Sequence, residues 1–292
     1  MKVAGFTFIR NAVKNDYPIV EAILSILPLC DEFVVAVGNS EDETENLIRS
    51  IDSPKIRILN TVWDDSIREG GAVFAAETDK AFKAISPEMD WAFYIQGDEC
   101  VHEKYHKIIR EELIDNLQHN EIEGLLFKYK HFYGSYDFYG DSRQWYRREI
   151  RIVRNSPFVK SFRDAQGFRW NGRKLKVKLI DAYIYHYGWV KPPQGLVRKG
   201  INFKLFYNRD AAFREVREDE NFDYGNAGRL RKFEGTHPCV ISDRIKAANW
   251  PFNNDLTKVR STQPLRKQIL QKIYECTGWR IGEYRNYTIV KR

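Results

Sequence analysis

The strongest constraint on this chain is an alternation that runs through its first 95 residues. Short β-branched and aromatic runs (Val3–Ile9, Phe33–Val37, Ile56–Leu59, Trp91–Ile95) take turns with segments of helical periodicity. The first helical segment carries Ile19, Val20, Ile23, Leu24 and Leu27 after Asp16-Tyr17-Pro18 and stops at Pro28. Pro suits a first helical turn and cannot continue a helix interior. The second and third helices are expected over 43–51 and 71–85, the latter through Ala72, Ala75, Ala76, Ala81, Phe82 and Ile85. Strand–helix repetition of this kind requires right-handed crossovers and a largely parallel sheet with helices on both faces.

In such sheets, ligands sit beyond the carboxyl ends of the strands. Here those ends are Arg10-Asn11, Gly38-Asn39-Ser40, Trp63-Asp64-Asp65 and Gln96-Gly97-Asp98-Glu99, all polar, and they are expected to converge on one rim. A helix at 105–119 and strands near 124–130 and 149–153 follow. A basic, aromatic region of weaker periodicity comes next, and the last hundred residues read as helices and turns wrapped on the core. Pro192-Pro193-Gln194-Gly195 marks a boundary.

Composition narrows the class. The 292 residues, 43% hydrophobic and 14% aromatic, can bury a core without staples and do not suit a disordered chain. Cys30, Cys100, Cys239 and Cys276 form no C-x-x-C pair, so neither a zinc site nor a disulfide framework is indicated and a reducing compartment is the default. The Met1-Lys2-Val3-Ala4-Gly5-Phe6 start lacks an export signal, and no window approaches a membrane span. The formal charge of +7 conceals a sign change: residues 1–120 carry 12 basic and 22 acidic side chains, the remainder 35 and 18. A basic part of this kind meets an anionic partner, whether nucleic acid, membrane headgroups or phosphorylated substrates.

Several residue groups can carry chemistry. Asp98 and Glu99 leave an apolar strand beside Gly97. They read either as a metal carboxylate, one or two being enough for Mg²⁺ or Mn²⁺ when diphosphate oxygens complete the shell, or as caps of the helix near 103. His186, in Tyr183-Ile184-Tyr185-His186-Tyr187-Gly188-Trp189, reads as a ligand or as a buried hydrogen-bonded imidazole. Gly38 to Thr44 reads as a base and ribose pocket or as a capped loop. Arg147, Arg148, Arg151, Arg154, Lys160 and Arg163, interleaved with Trp145, Tyr146, Phe158 and Phe162, suit phosphates and stacked bases or a solvated strand face. Asp164, beside Arg163, is an ion-pair member or a general base.

In order along the chain, these pieces resemble the bacterial branch of the family 2 glycosyltransferases of the GT-A fold. Ile9-Arg10-Asn11 looks like that family's first nucleotide-facing strand. Val35 to Thr44 is similar to its Asp-x-Ser-x-Asp-x-Thr segment, and Trp91 to Glu99 to its strand ending in Asp-x-Asp-Glu. Arg151-Ile152-Val153-Arg154-Asn155 through Asp164 resembles the approach to its acceptor-side carboxylate, and His186-Tyr187-Gly188 its later metal ligand. Two positions depart: Gly38 stands where the family has an acidic residue, and Gln96 replaces the first Asp of Asp-x-Asp. Gln96 can hydrogen-bond as an amide but cannot be an anionic ligand.

The resemblance covers residues 2–190. It implies an α/β, GT-A-like fold: a mostly parallel central sheet flanked by helices in a catalytic domain over 1–190, with a mainly helical C-terminal extension over 191–292. It implies inverting, metal-assisted transfer of a sugar from a nucleotide-diphosphate sugar to a glycan or lipid-linked acceptor hydroxyl, of the kind that builds cell-surface polysaccharide. Asp98 and His186 would hold Mn²⁺ or Mg²⁺. Arg10, Asn11, Gly38, Asn39, Ser40, Asp42, Gln96 and Gly97 would surround the nucleotide, and Arg154 and Arg163 would meet phosphate or acceptor. Asp164 is the first choice of base, with Asp137 and Asp141 behind it in the Gly134–Asp141 segment. The protein is expected to be cytoplasmic, with peripheral contact between its basic part and an anionic inner membrane face. Two other readings are a sugar nucleotidyltransferase, for which Arg10-Asn11-Ala12-Val13-Lys14 lacks the usual Gly-rich loop, and a nucleic-acid-binding module, for which no helix-turn-helix, RRM or zinc pattern is present.

Overall fold

The protein is described from a computed structural model covering residues 1–290, except 68, 209, 211–213, 215–216, 218–221, 225–227 and 253–263. Part of the expected C-terminal extension therefore lies outside the described residues.

The first half follows the alternation. β1 (Val3–Ile9), α1 (Ile19–Ile26), β2 (Glu32–Gly38), α2 (Thr44–Arg49), β3 (Ile56–Thr61), α3 (Ala72–Lys83) and β4 (Trp91–Tyr94) appear in the expected order. The order β3-β2-β1-β4 is parallel throughout, with Phe6 paired in register to Val34 on one side and Tyr94 on the other. β1 and β2 are almost wholly buried because helices cover both faces, which is why they read as unbroken apolar runs. Phe6, Phe33 and Phe93 are fully buried, each contributing roughly 1.5–3 kcal/mol. α1 ends at Ile26, and a 3₁₀ turn over Leu27–Leu29 carries the chain through Pro28. α3 buries Val73, Glu77, Thr78, Ala81 and Phe82, while Ala72 faces solvent. Glu77 is tolerated inside because Thr61 Oγ1 (2.6 Å) and Lys80 Nζ (2.5 Å) donate to it.

Beyond β4 the sheet becomes mixed. β5 (Glu99–Val101), α4 (His106–Asp115), β6 (Gly124–Tyr133), β7 (Ser135–Gly140), β8 (Arg148–Arg154), β9 (Val159–Phe162), β10 (Gly167–Trp170) and β11 (Arg173–Trp189) complete the main sheet. β8 inserts antiparallel between β4 and β6, and β6 pairs parallel with β11. The parallel character expected for most of the sheet therefore holds for its first four strands and for the pairs that β11 makes with β6 and with the C-terminal strand at 287–289. α5 (Pro193–Tyr207) begins at the expected boundary. It is followed by β12 (Leu230–Lys232), α6 (Ser242–Ala247), α7 (Leu265–Thr277) and β13 (Tyr287–Ile289). The C-terminal segment is mainly helical among its described residues, but β12 extends β7 and β13 extends β11, so it is also sewn into the sheet. No described helix is long and apolar enough to cross a membrane, and all four cysteines are free.

Candidate active site

The loops after the parallel strands do converge, because strands in register end together. Asn11 N–H donates to Ser40 Oγ (3.0 Å), and Glu41 N–H donates to Asn11 Oδ1 (2.8 Å). Arg10 meets Asp65 at 2.9 Å and lies over the Trp63 ring, while Trp63 N–H donates to Asn39 Oδ1 (3.2 Å). Of these, Arg10, Asn11, Glu41, Trp63 and Asp65 border a cavity of about 1080 Å³ that is also lined by Gln96, Gly97, Asp98, His131, Tyr146, Asp164, His186, Lys199 and Tyr207.

At its floor, Asp98 and His186 are both buried, with Asp98 Oδ2 3.5 Å from His186 Nε2 and 3.3 Å from Lys199 Nζ. Lys199 also donates to the Gly188 carbonyl (2.8 Å). Burial alone would raise the Asp98 carboxyl, but His186, Lys199 and Lys191 together hold it well below the usual carboxylate range. His131 orients His186. Burial, followed by the neighbouring His186, keeps His131 neutral by pushing its pKa well below the ordinary value. Its Nε2 faces the Tyr146 carbonyl at 2.7 Å, so Nε2 carries the proton and donates. Nδ1 of His131 is then an acceptor, and His186 Nδ1–H donates to it at 3.3 Å. His186 Nε2 faces the Asp98 carboxylate.

An imidazole nitrogen and a carboxylate oxygen are both ligand types for a divalent cation. Their 3.5 Å separation can be bridged by two metal bonds of about 2.1 Å each, so the residues fit a divalent ion. Among the described residues no third His, Cys, Asp or Glu joins them, so the rest of such an ion's shell would come from a ligand or water. Gly188 makes this packing possible: a Cβ there would lie 2.3 Å from Asp98 Oδ2 and 2.6 Å from Lys199 Nζ.

The nucleotide candidates divide. Arg10, Asn11, Gln96 and Gly97 line the cavity, and Ser40 holds the Asn11 backbone. Gly38, Asn39 and Asp42 do not line it. Gly38 makes room for an indole, since a Cβ would meet Trp63 Nε1 at 2.3 Å. The position where the resembled family carries an acidic side chain is thus covered by Trp63. Asp42 accepts from the backbone N–H of Lys14 (2.7 Å) and of Thr44 (3.1 Å), pinning the loop before α2. Gln96 Nε2 donates to the Ala165 carbonyl (3.3 Å). Phe8, Trp63, Phe74, Phe206 and Tyr207 form an aromatic wall. Arg10, which lines the cavity, has its Nε buried without a hydrogen-bond partner, a donor that a ligand can satisfy.

Of the three carboxylates considered as base, Asp164 lines the cavity and accepts from Tyr207 O–H (2.5 Å). Asp137 is exposed on β7, and Asp141 is held by Arg229 and by Arg231 (2.5 Å); neither lines the cavity. Nor do the two phosphate candidates. Arg154 stacks 4.0 Å over Trp91 and donates to the carbonyls of Asn116, Leu117, His119 and Ile122, closing the end of α4. Arg163 is exposed over the Phe162 and Tyr284 rings.

Arg151 departs from both readings of the basic stretch. It is 1% exposed and forms a two-pronged pair with the fully buried Glu99 (2.8 and 2.9 Å), its head between the Tyr94 and Tyr129 rings. Glu99 is therefore an anchor beneath Asp98, while the turn before α4 is capped by His102, whose Nδ1 accepts from Lys104 N–H (3.3 Å). Sequence reasoning missed His131 and the whole α5 contribution. Lys199 reaches Asp98, Arg198 donates to the Lys14 carbonyl (2.7 Å), and Asn202 donates to Asn15 Oδ1 (2.6 Å). Lys191, just before α5, donates to the Asn15 carbonyl (2.9 Å). The only available signal was the density of Lys and Arg after His186.

No family model matches the chain, and none of the curated proteins matches it. Among solved structures, it is similar to residues 1–349 of S. aureus TarS, 15% identical over 74% of this chain and 67% of that one, with a TM-score of 0.39. It is also similar to glucosyl-3-phosphoglycerate synthase from Mycobacterium tuberculosis in complex with Mn²⁺, UDP and glucosyl-3-phosphoglycerate. There the identity is 22% over 46% of this chain and 45% of that one, with a TM-score of 0.30. A third likeness is to 4-diphosphocytidyl-2C-methyl-D-erythritol synthase from Anaerococcus prevotii, 13% identical over 70% and 94% of the two chains, with a TM-score of 0.38. At such low scores no argument rests on them.

Proposed function

We propose that the chain is a glycosyltransferase that moves a sugar from a nucleotide-diphosphate sugar to an acceptor hydroxyl, with inversion and with the help of a divalent cation. One observation carries this reading: His131 orients His186 so that its Nε2 meets the Asp98 carboxylate at the floor of a large polar and aromatic cavity. Mn²⁺ or Mg²⁺ held by Asp98 and His186 supplies charge neutralisation for a leaving diphosphate. Lys199 adds a fixed positive charge beside that position, and Arg10, with its unpartnered Nε, offers donors at the rim.

The aromatic wall of Phe8, Trp63 and Phe74 suits a stacked base or sugar face, and Asn11, Gln96 and Gly97 present polar atoms alongside it. Asp164 takes the proton of the acceptor hydroxyl as its oxygen bonds to the anomeric carbon and the bond to the diphosphate oxygen breaks. Tyr207 holds that carboxylate in place through its O–H. The sheet-borne residues before 190 and the α5 residues after it meet in one cavity, so the 1–190 region would work as the catalytic domain only with α5 in place.

Release of nucleoside diphosphate is the test. UDP-, GDP-, CDP- and dTDP-sugars are offered with Mn²⁺ and a panel of oligosaccharide and lipid-linked acceptors. Acceptor-dependent release from one donor supports the reading, and Asp164→Asn should lower the rate by about 10²–10⁴-fold while leaving donor binding intact. No release from any donor with any acceptor overturns it.

A further inference from the structure

α7 has an anchored side and a bare side. On the anchored side, Gln271 Oε1 accepts from Arg143 N–H (2.9 Å) and Glu275 meets Arg229 (3.0 Å). Just past the helix, buried Arg280 donates to the carbonyls of Trp145 (2.5 Å) and Ser142 (3.2 Å). On the bare side, Leu265 is 72% and Ile269 51% exposed, with Cys276 on the same stripe. Trp279, one residue beyond the left-handed Gly278 cap, is 63% exposed. Helical spacing places exposed Arg266 on one flank of this stripe and exposed Lys272 on the other, with Lys267 further round. Among the described residues no carboxylate pairs with any of the three, and no apolar residue covers the stripe.

We propose that this side of α7 docks the protein on an anionic bilayer surface. A bilayer with anionic headgroups matches both the apolar stripe and its flanking cations, with acyl boundary under Leu265, Ile269 and Trp279 and headgroups beside Arg266 and Lys272. Trp at the edge of such a stripe suits the headgroup level. Lacking the length and apolarity to span, the helix lies on the surface. Its net basic character agrees with the positive sign of residues 121–292. The loop that the anchored side of α7 grips also carries Gln144, Trp145 and Tyr146, which line the cavity. The docking does not depend on the proposed transfer reaction.

Co-sedimentation of the full chain with phosphatidylcholine vesicles, with and without phosphatidylglycerol, tests the proposal. Binding is expected only to the anionic vesicles and to weaken with salt. It should fall by about tenfold or more in the double variant Leu265→Glu, Ile269→Glu. Trp279 fluorescence, isolated by difference from Trp279→Phe, should shift to the blue on those vesicles. Because these side chains are exposed, the melting temperature and nucleoside diphosphate binding should not change, and loss of nucleotide binding in every form would count against the transfer reaction alone. Absence of vesicle binding, or binding unaffected by the double variant, overturns the proposal. So does a concentration-dependent dimer, abolished by the same variant, in a chain that ignores vesicles, which gives the face to a second copy.

Discussion

His131 and His186 lie side by side on paired strands, Nδ1 to Nδ1 at 3.3 Å, and this contact decides which nitrogen of His186 faces Asp98. The register pairs His131 of β6 directly with His186 of β11, so both rings leave the same face of the sheet. Without the His131 acceptor, the His186 ring loses the hydrogen bond that holds its Nε2 toward Asp98.

Replacing the acceptor should therefore weaken metal without touching a ligand. His131→Phe is expected to lower Mn²⁺ affinity by about 10–100-fold, measured by calorimetry or by Mn²⁺ electron paramagnetic resonance. Unchanged affinity in a folded variant would remove the orienting role.

The Glu99–Arg151 pair should dominate stability under the site. Glu99→Gln or Arg151→Met leaves the other charge buried at almost zero exposure, and a loss of about 3–5 kcal/mol is expected in urea unfolding. The double replacement Glu99→Gln, Arg151→Met should recover part of it. A loss below 1 kcal/mol in either single variant would show that water reaches the pair.

Glu149 gives a pH signature of opposite sign to an ordinary carboxylate. Burial, against the opposing pull of Arg151, raises its pKa to about 7, and its Oε2 has no hydrogen-bond partner. The folded state then holds a proton that the unfolded state releases near 4.5. Its contribution is full below pH 4.5 and is lost as pH rises through 7, a change of the order of 3 kcal/mol. Glu149→Gln should flatten that part of the stability curve and melt higher than the parent at pH 8. Parallel curves for the two proteins between pH 4.5 and 8 would contradict the assignment.

The first four strands and the rim they build were legible because buried parallel strands are continuous apolar runs, and the polar residues ending them must share one edge. Asp98 and His186 stood out through local context, one after a strand and Gly97, the other in an aromatic run. What joins them was not legible. His131 precedes His186 by 55 residues and meets it only through strand register, while Lys199 reaches Asp98 from a helix read as the start of an appended region. Arg151 alternates with Ile150 and Ile152, a pattern that signals a solvated face, yet the opposite face is also covered here and Glu99 neutralises it. Gly38 is a departure from the resembled pattern only until Trp63, 25 positions on, is seen to lie against it.

The central claim is that Asp98 and His186 form a cation site serving a nucleotide diphosphate. Isothermal titration of UDP, GDP, CDP and dTDP into the protein and into Asp98→Asn, each with Mn²⁺ and with EDTA, tests it most directly. One diphosphate is expected to bind with Mn²⁺, and EDTA and Asp98→Asn should each weaken that binding by about tenfold or more. Binding of no diphosphate, or binding that is the same in all four conditions, would contradict it.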